Sequence, residues 1–532
     1  MTGYSTIADH SASGGAFGGI MGSPRQARSP KPGGGHASMM SSNINLLNTI
    51  IGAGTLAMPL AMSHFGVMLG VILILWCGLT SAFGLYLQAR CARYIDRGSS
   101  SFFALSQITY PNAAVVFDAA IAIKCFGVGV SYMIIIGDLM PGVAEAFGSI
   151  DSGLVFLEDR KFWITVFFLV FIIPLSFPKK LDSLKYTSIV ALVSIGYLVI
   201  LVVYHFGVDD KSTRGTVNVI SWQGPGAALR GLPVIIFAYT CHQNMFSILN
   251  EIKDNSPASI VGVIGASIGS AASVYILVAI TGYLTFGDKV EGNIVGMYSS
   301  SIPSTIAKAA IVILVTFSIP LQVHPCRASI DAVLRWRPGK SKQQGTSPPG
   351  SQPLLPSANT SGGLLDSHGA PAAAMSELRF ALITSGILVM AYFTALNVSS
   401  LDRVLAYVGS TGSTAISFIL PGLFYYKISD PDSIYHQRLT KEDDDADYSD
   451  SSEDGAVPGE ASGSGAMVDS IASLRSNASG VSGRRWRWRR KWRWDLEHIE
   501  TGLLRKLSLV LSTYGICVMV VCLAMNSFTG PH

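Results

Sequence analysis

The stretch from Ser41 to Phe65, SSNINLLNTIIGAGTLAMPLAMSHF, constrains the fold more than any other part of the chain. It is long and apolar enough to cross a bilayer, whose hydrocarbon core takes about 20 helical residues. Its middle is glycine-rich, and Pro59 has no amide hydrogen for the carbonyl of Thr55. Two interpretations follow. Either the helix unwinds near the membrane centre, where free backbone must face protein, ligand or water, or it is a packing helix whose glycines admit close neighbours.

A second stretch, from Gly231 to Glu251, favours the unwound helix. Its apolar run, GLPVIIFAYTCHQNMFSILNE, is interrupted by polar residues from Thr240 to Asn244. Polar groups at the middle of a bilayer are costly, and they usually face the interior of a helix bundle or a pathway through it. Two discontinuous helices, the first and the sixth, are the arrangement of transporters built from inverted repeats, which bind substrate where the helices break.

Composition places the chain in a membrane. Of its 532 residues, 49% are hydrophobic and only 14% are charged, whereas a soluble protein carries about 25% charged residues. The length rule predicts eleven membrane-spanning helices, which fit two repeats of five helices and one helix to follow. The predicted spans are residues 42–63, 67–90, 112–140, 161–178, 184–206, 228–249, 257–286, 302–324, 377–397, 403–426 and 504–526.

The distribution of cations predicts the orientation. Lys and Arg concentrate in the connections on one side of the predicted bundle, and this bias puts the N-terminus in the cytosol and the C-terminus on the opposite face. The glycosylation sequon at Asn397 then faces the lumen, and those at Asn359 and Asn477 face the cytosol. The cytosolic cations are Arg90, Arg93, Arg97, Lys179, Lys180, Lys185, Arg327, Arg335, Arg337, Lys340 and Lys342. The cations that go against the bias are Arg160, Lys161, Lys211 and Arg214.

Polar, low-complexity segments divide the chain further. We expect residues 1–38, rich in Gly, Ser and Pro, to be a disordered cytosolic tail. Residues 39–426 form the transporter core, helices one to ten, with a disordered cytosolic insertion at 338–375. Residues 427–500 are a second disordered cytosolic insertion, and residues 501–532 hold the eleventh helix and a short tail.

The second insertion contains a basic, aromatic run from Arg484 to Trp494, RRWRWRRKWRW. Basic side chains attract the anionic lipids of the cytosolic leaflet, and tryptophan favours the membrane interface. The run is therefore either a site for anionic lipid or a plain positive flank for the last helix. Basic residues interleaved with aromatics also occur in nucleic-acid binding, but in a polytopic membrane protein we expect no nucleic-acid partner.

The sequence gives no sign of an enzyme. Its seven cysteines lie mostly inside apolar spans and form no CxxC pair, and no nucleophile–base pair, phosphate-cradling loop or metal-ligand cluster stands out. We expect no enzymatic activity, no metal and no cofactor other than a transported ion.

Few polar residues lie inside the predicted spans. Lys124 and Asp138 in the third span are about 21 Å apart along a helix, which is too far for them to pair. In the eighth span, Pro320 leaves the carbonyl of Thr316 free beside the hydroxyl of Ser318. These oxygens either suit a small cation, or the hydroxyls bond back to their own helix.

Four motifs, in this order along the chain, resemble those of the amino acid/auxin permease family. They are NxxxGAGxLAMP in the first span, VSYMIIIGDLMP in the third, FAYTCHQNMFSILNE in the sixth and PxxxHPCR at the end of the eighth. More narrowly, the chain is similar to the fungal vacuolar amino-acid transporters and to the sodium-coupled neutral amino-acid transporters of animals. The motifs cover about residues 41–425, and the insertion between the tenth and eleventh spans has no counterpart in the pattern.

The resemblance implies a LeuT-type fold of the APC superfamily. This is an all-α polytopic membrane protein with two inverted five-helix repeats, broken helices 1 and 6, and an accessory eleventh helix. It also implies that amino acids bind at the breaks, with backbone amides of the first span on the carboxylate and carbonyls of the sixth on the ammonium. The amide residues are Ile51, Gly52, Ala53, Gly54 and Thr55, and the carbonyl residues are Phe237, Ala238, Tyr239, Thr240 and Cys241.

A coupling ion is implied as well. Asn48 and Ser318 match positions near the cation in sodium-coupled relatives, whereas vacuolar members couple to protons, so the ion is a proton or sodium. His242 is the candidate for carrying a proton, because the ordinary pKa of histidine, near 6.5, lies between the pH of the cytosol and that of an acidic vacuole. Asp138 is its candidate partner. The alternative is a structural histidine bonded to unwound backbone.

Two functions stay open. The first is secondary active transport of amino acids by alternating access, driven by protons, in the vacuolar (lysosome-like) membrane or, alternatively, the plasma membrane. The second is an amino-acid sensor, or transceptor, that binds signalling partners through its cytosolic insertions.

Overall fold

The computed structural model describes residues 35–95, 98–146, 155–178, 187–208, 214–335, 375–437 and 501–528. These residues form helices, with no strand among them beyond an isolated bridge between Ala37 and Ile252. The α-helices are α1 (Met39–Ile50), α2 (Ala53–Phe65), α3 (Val67–Ala92), α4 (Phe102–Thr109), α5 (Ala114–Ala146), α6 (Arg160–Phe167), α7 (Ile173–Ser176), α8 (Thr187–Val208), α9 (Pro225–Ala238), α10 (His242–Glu251), α11 (Pro257–Phe286), α12 (Ile294–Met297), α13 (Ile302–Arg335), α14 (Glu377–Asn397), α15 (Leu401–Val408), α16 (Leu420–Ile428) and α17 (Thr501–Phe528).

Most of the predicted tail and of both predicted insertions lies outside the described residues, as does the run from Arg484 to Trp494. The boundaries differ slightly from the prediction. Ala37 belongs to the described chain, where its amide donates to the Glu251 carbonyl at 2.9 Å and its own carbonyl accepts from Lys253 at 2.8 Å. The tenth span likewise continues to Ile428.

Ten helical stretches in the described ranges are long and apolar enough to cross a membrane, with α1 and α2 counted as one bent span. The predicted fourth span is helical but shorter. It consists of α6, a π-helical segment Phe168–Ile172, and α7. Pro174 in α7 has no amide to continue regular bonding, and the Ile173 amide instead reaches the Phe168 carbonyl five residues back.

Helix α11 shows why many helices begin and end where the sequence predicts. The Ser256 side chain accepts the Ser259 amide at the start, and Pro257 takes the first helical position, where no amide is needed. Gly287 ends the helix at φ +64°, a conformation that side chains disfavour. The eighth span, by contrast, continues eleven residues past its predicted end to Arg335, so Arg327 is not in a loop. It is buried, with its guanidinium 4.0 Å from the centre of the Phe380 ring.

The first span is discontinuous, as predicted. Helices α1 and α2 meet at 56°, and the break is confined to Ile51 and Gly52. It is narrower than the glycine-rich run, since Gly54 and Thr55 already belong to α2. Pro59 does not interrupt α2. Its ring packs against Gly282 of α11, so closely that a Cβ on Gly282 would lie 2.6 Å from the ring.

The sixth span breaks from Tyr239 to Cys241, between α9 and α10. The predicted interruption extended to Asn244, but His242 is already the first residue of α10. Helix α2 packs against α9, and α1 packs against α10. The two broken spans therefore run antiparallel, which is the relationship that inverted repeats require.

The last helix packs on the tenth span. A Cβ on Gly422 of α16 would lie 2.5 Å from the Ser508 carbonyl of α17, so the two backbones approach closely. Next to this contact, Arg505 pairs with Asp430 at 2.6 Å. The chain is thus tied together near both ends of the second predicted insertion.

Candidate functional site

A cavity of about 660 Å³ lies where the two breaks meet. Helices α5, α8 and α13 complete its wall. Helix α1 lines it with residues between 45 and 50, and α10 with residues between 243 and 251. Helices α2 and α9 line it only with residues next to the breaks. The cavity therefore extends from the breaks toward the N-terminal end of α1, the side that the charge bias assigns to the cytosol.

On the other side of the breaks, α2 and α9 are closely packed. A Cβ on Gly54 would lie 2.5 Å from the Cβ of Ala238, and one on Gly231 would lie 2.9 Å from the Phe65 ring. These glycines allow the two helices to approach closely, and this packing separates the cavity from the opposite face of the bundle.

At the first break, the N-terminal end of α2 faces the cavity. Ile51, Gly52, Ala53 and Gly54 line it, whereas Thr55 does not. The Thr55 amide donates to the Gly52 carbonyl at 3.0 Å. The amides before it lie in the first turn, which has no carbonyls of its own helix to bond and carries the positive end of the helix dipole. The site can therefore hold a carboxylate.

At the sixth break, Phe237, Ala238 and Thr240 line the cavity, and Tyr239 and Cys241 do not. The Tyr239 carbonyl accepts from the Ser81 hydroxyl at 3.2 Å, and the Cys241 carbonyl accepts from the Asn244 amide at 3.0 Å. These two carbonyls therefore stabilise the break itself.

Tyr275 of α11 joins both breaks. Its hydroxyl lies 2.7 Å from the Ile50 carbonyl and 2.8 Å from the Ala238 carbonyl, and the side chain is fully buried. These carbonyls belong to the last residues of α1 and α9, which have no further turn to bond. Tyr275 was not among the residues predicted from the sequence, although a hydroxyl inside a predicted span indicates a candidate for such a contact.

The two residues that were expected near a cation, Asn48 and Ser318, both line the cavity. Their side chains differ in hydrogen bonding. The Asn48 Oδ1 is buried and accepts no hydrogen bond in the described structure, whereas Ser318 donates to the Leu314 carbonyl of its own helix at 2.8 Å. Thr316 likewise bonds back to Val312, at 2.7 Å. Asn48 thus retains an oxygen for a ligand.

The structure does not bring His242 and Asp138 together. Asp138 lies outside the cavity and pairs with Arg160 at 3.4 Å. His242 is fully buried behind the cavity wall, against α3, where a Cβ on Gly84 would lie 2.8 Å from its Nε2. Its carbonyl accepts from the Gln88 side chain at 2.8 Å, and neither ring nitrogen accepts a hydrogen bond from a described residue. The backbone of Ser81 is a polar neighbour of the ring.

Other polar side chains in the wall had no predicted role. Lys124 of α5 lines the cavity, and the hydroxyl of Tyr132 lies 3.7 Å from where a Cβ on Gly52 would be. Groups of three or more His, Cys, Asp or Glu that suit a metal ion do not occur in the described part of the chain.

Comparison with known proteins gives consistent matches. The family model described as transmembrane amino acid transporter protein matches residues 35–443. Vacuolar amino acid transporter 6 of Saccharomyces cerevisiae is 43% identical over 74% of this chain and 90% of its own length. Vacuolar amino acid transporter 5 of Schizosaccharomyces pombe is 43% identical over 74% of this chain and 86% of its own. A more distant relative, sodium-coupled neutral amino acid transporter 7 of Mus musculus, is 28% identical over 58% of this chain and 67% of its own length. Among solved structures, MhsT in complex with L-phenylalanine matches 76% of this chain and 95% of its own at 13% identity and a TM-score of 0.49.

Proposed function

The chain belongs to the transmembrane amino acid transporter family, and from this premise we propose that it moves amino acids across the vacuolar membrane by proton-coupled alternating access. The names of two relatives that are 43% identical support both the substrate and the membrane. The observation that carries the proposal is the cavity at the junction of the two broken helices.

In this proposal, the substrate carboxylate binds the amides of Ala53 and Gly54, at the positive end of α2. The substrate ammonium binds carbonyls of Phe237 and Thr240 at the end of α9. A carbonyl oxygen has two lone pairs, so one that already accepts a bond can accept a second. Both ends of an amino acid are then recognised by backbone, which leaves its side chain to the wall formed by α5, α8 and α13.

Alternating access requires the cavity to open to one face at a time. The packing of Gly54 on Ala238 supports a state closed toward the lumen, and the long lining from α1 and α10 supports one accessible from the cytosol. Rocking of the broken helices against their neighbours would reverse this arrangement. For the coupling ion we propose a proton carried by His242. Sodium held at Asn48 is the competing choice.

Uptake into vesicles containing the purified protein tests the proposal. We expect a mixed panel of labelled amino acids to accumulate with an imposed pH gradient, and to equilibrate without accumulation when the gradient is absent. Accumulation driven by a sodium gradient instead would show that sodium, and not a proton, is the coupling ion. Amino-acid binding without any flux would favour the sensor.

A further inference from the structure

We propose that the cytosolic ends of α13 and α14 bind the phosphate of an anionic phospholipid through Arg335 and Arg379. Neither arginine lines the cavity at the breaks, and the site does not depend on which substrate the protein transports. Neither belongs to the run from Arg484 to Trp494, the lipid site considered from the sequence.

Two arginines share one carboxylate at these helix ends. The Asp331 carboxylate of α13 contacts the Nε of Arg335 at 2.8 Å, one turn further along the same helix, and the Nε of Arg379 in α14. The two guanidiniums therefore lie close together, and the side chains of Arg335 and Arg379 are 39% and 35% exposed. A guanidinium has five N–H donors, so terminal N–H groups of both arginines have no partner among the described residues. Such planar groups suit the oxygens of a phosphate.

A third arginine makes this end of the two helices positive. Arg327 lies about two turns before Arg335 in α13, and its buried guanidinium is 4.0 Å from the centre of the Phe380 ring. Asp331 and Glu377 are the only acidic residues of α13 and α14. Three arginines therefore stand against two acids, and a net positive group at the cytosolic face attracts anionic lipid.

The length of α14 places this group at the level of the lipid head groups. The helix has 21 residues and is about 31 Å long, which matches a hydrocarbon core of about 30 Å. Arg379, in its first turn, therefore lies at the boundary between hydrocarbon and head groups. Exposed leucines stand next to both cations: Leu334 before Arg335, and Leu378 and Leu382 in the first turns of α14. Cations beside an exposed apolar surface fit a head group with its acyl chains, whereas a soluble anion needs the cations alone.

Lipid retention by the purified full-length protein tests the site. Phosphatidylserine is compared with phosphatidylcholine, which carries the same phosphate but no net charge, and native mass spectrometry counts bound lipid over a titration. We expect the native protein to bind phosphatidylserine more tightly. Arg335→Gln and Arg379→Gln should each weaken this binding about fivefold, the effect of one basic side chain near an anionic surface, and leave phosphatidylcholine unchanged. Arg335→Gln is the sharper variant, because it keeps the pair of Asp331 with Arg379 that joins the two helices.

The matched control is Arg403→Gln, which removes an exposed arginine of α15 on the face predicted to be lumenal and should bind lipid as the native protein does. Equal retention of the two lipids by the native protein would overturn the inference, whether or not any variant folds. A preference that both α13 and α14 variants keep would overturn it too. Displacement of phosphatidylserine by inorganic phosphate at equal concentration would indicate a site for a soluble anion instead. A dimeric mass without retained lipid would assign the exposed leucines to a second copy of the chain.

Discussion

The hydroxyl of Tyr275 lies 2.8 Å from the Ala238 carbonyl, at the point where α9 ends. The same hydroxyl is 2.7 Å from the Ile50 carbonyl at the end of α1. A tyrosine has one hydroxyl hydrogen, so the two helix ends share a single donor. Movement of either half-helix therefore changes the hydrogen bonding of the other.

We predict that Tyr275→Phe weakens both folding and substrate binding. Loss of the hydroxyl leaves two buried carbonyls with one donor fewer, which costs about 1–3 kcal/mol of stability. Thermal unfolding and the KM for uptake measure the two effects. Tyr283→Phe is the matched control, because Tyr283 is equally buried on the same helix but accepts from the Asn218 amide, away from the breaks. It should lower the unfolding temperature alone. An unchanged KM in Tyr275→Phe would limit that hydroxyl to a role in stability.

Gly54→Val should abolish transport because it forces α2 and α9 apart. The structure gives the reason. Even a Cβ at this position would lie 2.5 Å from the Ala238 side chain and 2.8 Å from its Cα. Such overpacking typically costs about 1–3 kcal/mol or more. The measurement is uptake per molecule of protein recovered from the membrane. Gly265→Val in α11, where a new Cβ meets no atom within 4 Å, should transport normally. Normal uptake by Gly54→Val would contradict the close packing.

His242→Gln tests the coupling proton. Neither ring nitrogen accepts a hydrogen bond in the described structure, and the backbone of Ser81 lies beside the ring, so the ring can gain a proton without losing a bond. We expect the glutamine variant to bind and exchange amino acids but to lose the dependence of net flux on the pH gradient. Flux measured over a series of imposed gradients decides the matter. A full pH response in the variant ends the claim, and reduced expression with the pH response intact would indicate a structural histidine.

Glycosylation tests the topology. Asn397 is exposed at the end of α14, on the face predicted to be lumenal, while Asn359 and Asn477 lie outside the described residues. We expect no glycan on Asn359 or Asn477, because the predicted topology keeps both in the cytosol. Mass spectrometry of the purified protein reads each site. A glycan on either would overturn the orientation, whereas a bare Asn397 would not, since its loop is short.

The sequence predicted the helices better than the contacts between them. Span limits follow from local rules, as at α11, where Ser256, Pro257 and Gly287 mark both ends. The positions of the breaks were predicted to within a few residues because glycine and mid-span polar groups disfavour a continuous helix. Pro59 was misleading, because it lies inside α2 without ending it, and its ring packs against Gly282, from a helix more than 200 residues away.

Pairings across the bundle were not accessible in the same way. That Asp138 meets Arg160 and not His242 depends on how α5, α6 and α10 are placed, and no spacing rule within one helix reports this. The role of Tyr275 was missed for the same reason. Its two acceptors are backbone carbonyls on separate helices, and every type of residue has such a carbonyl, so the sequence does not identify them.

The ion pair between Asp430 and Arg505 makes this edge of the bundle tolerant of changes in chain length. The described part of the chain stops at residue 437 and resumes at 501, and near these two points the Arg505 guanidinium lies 2.6 Å from the Asp430 carboxylate. The free energy of joining two fixed points rises by only about 0.6 kcal/mol for each doubling of the length of chain between them. The family match ends at residue 443, close to the first of these points. Tens of residues can therefore be gained or lost here, by evolution or by design, with little effect on the helices, which makes this junction the natural place to insert a fluorescent reporter or an affinity tag.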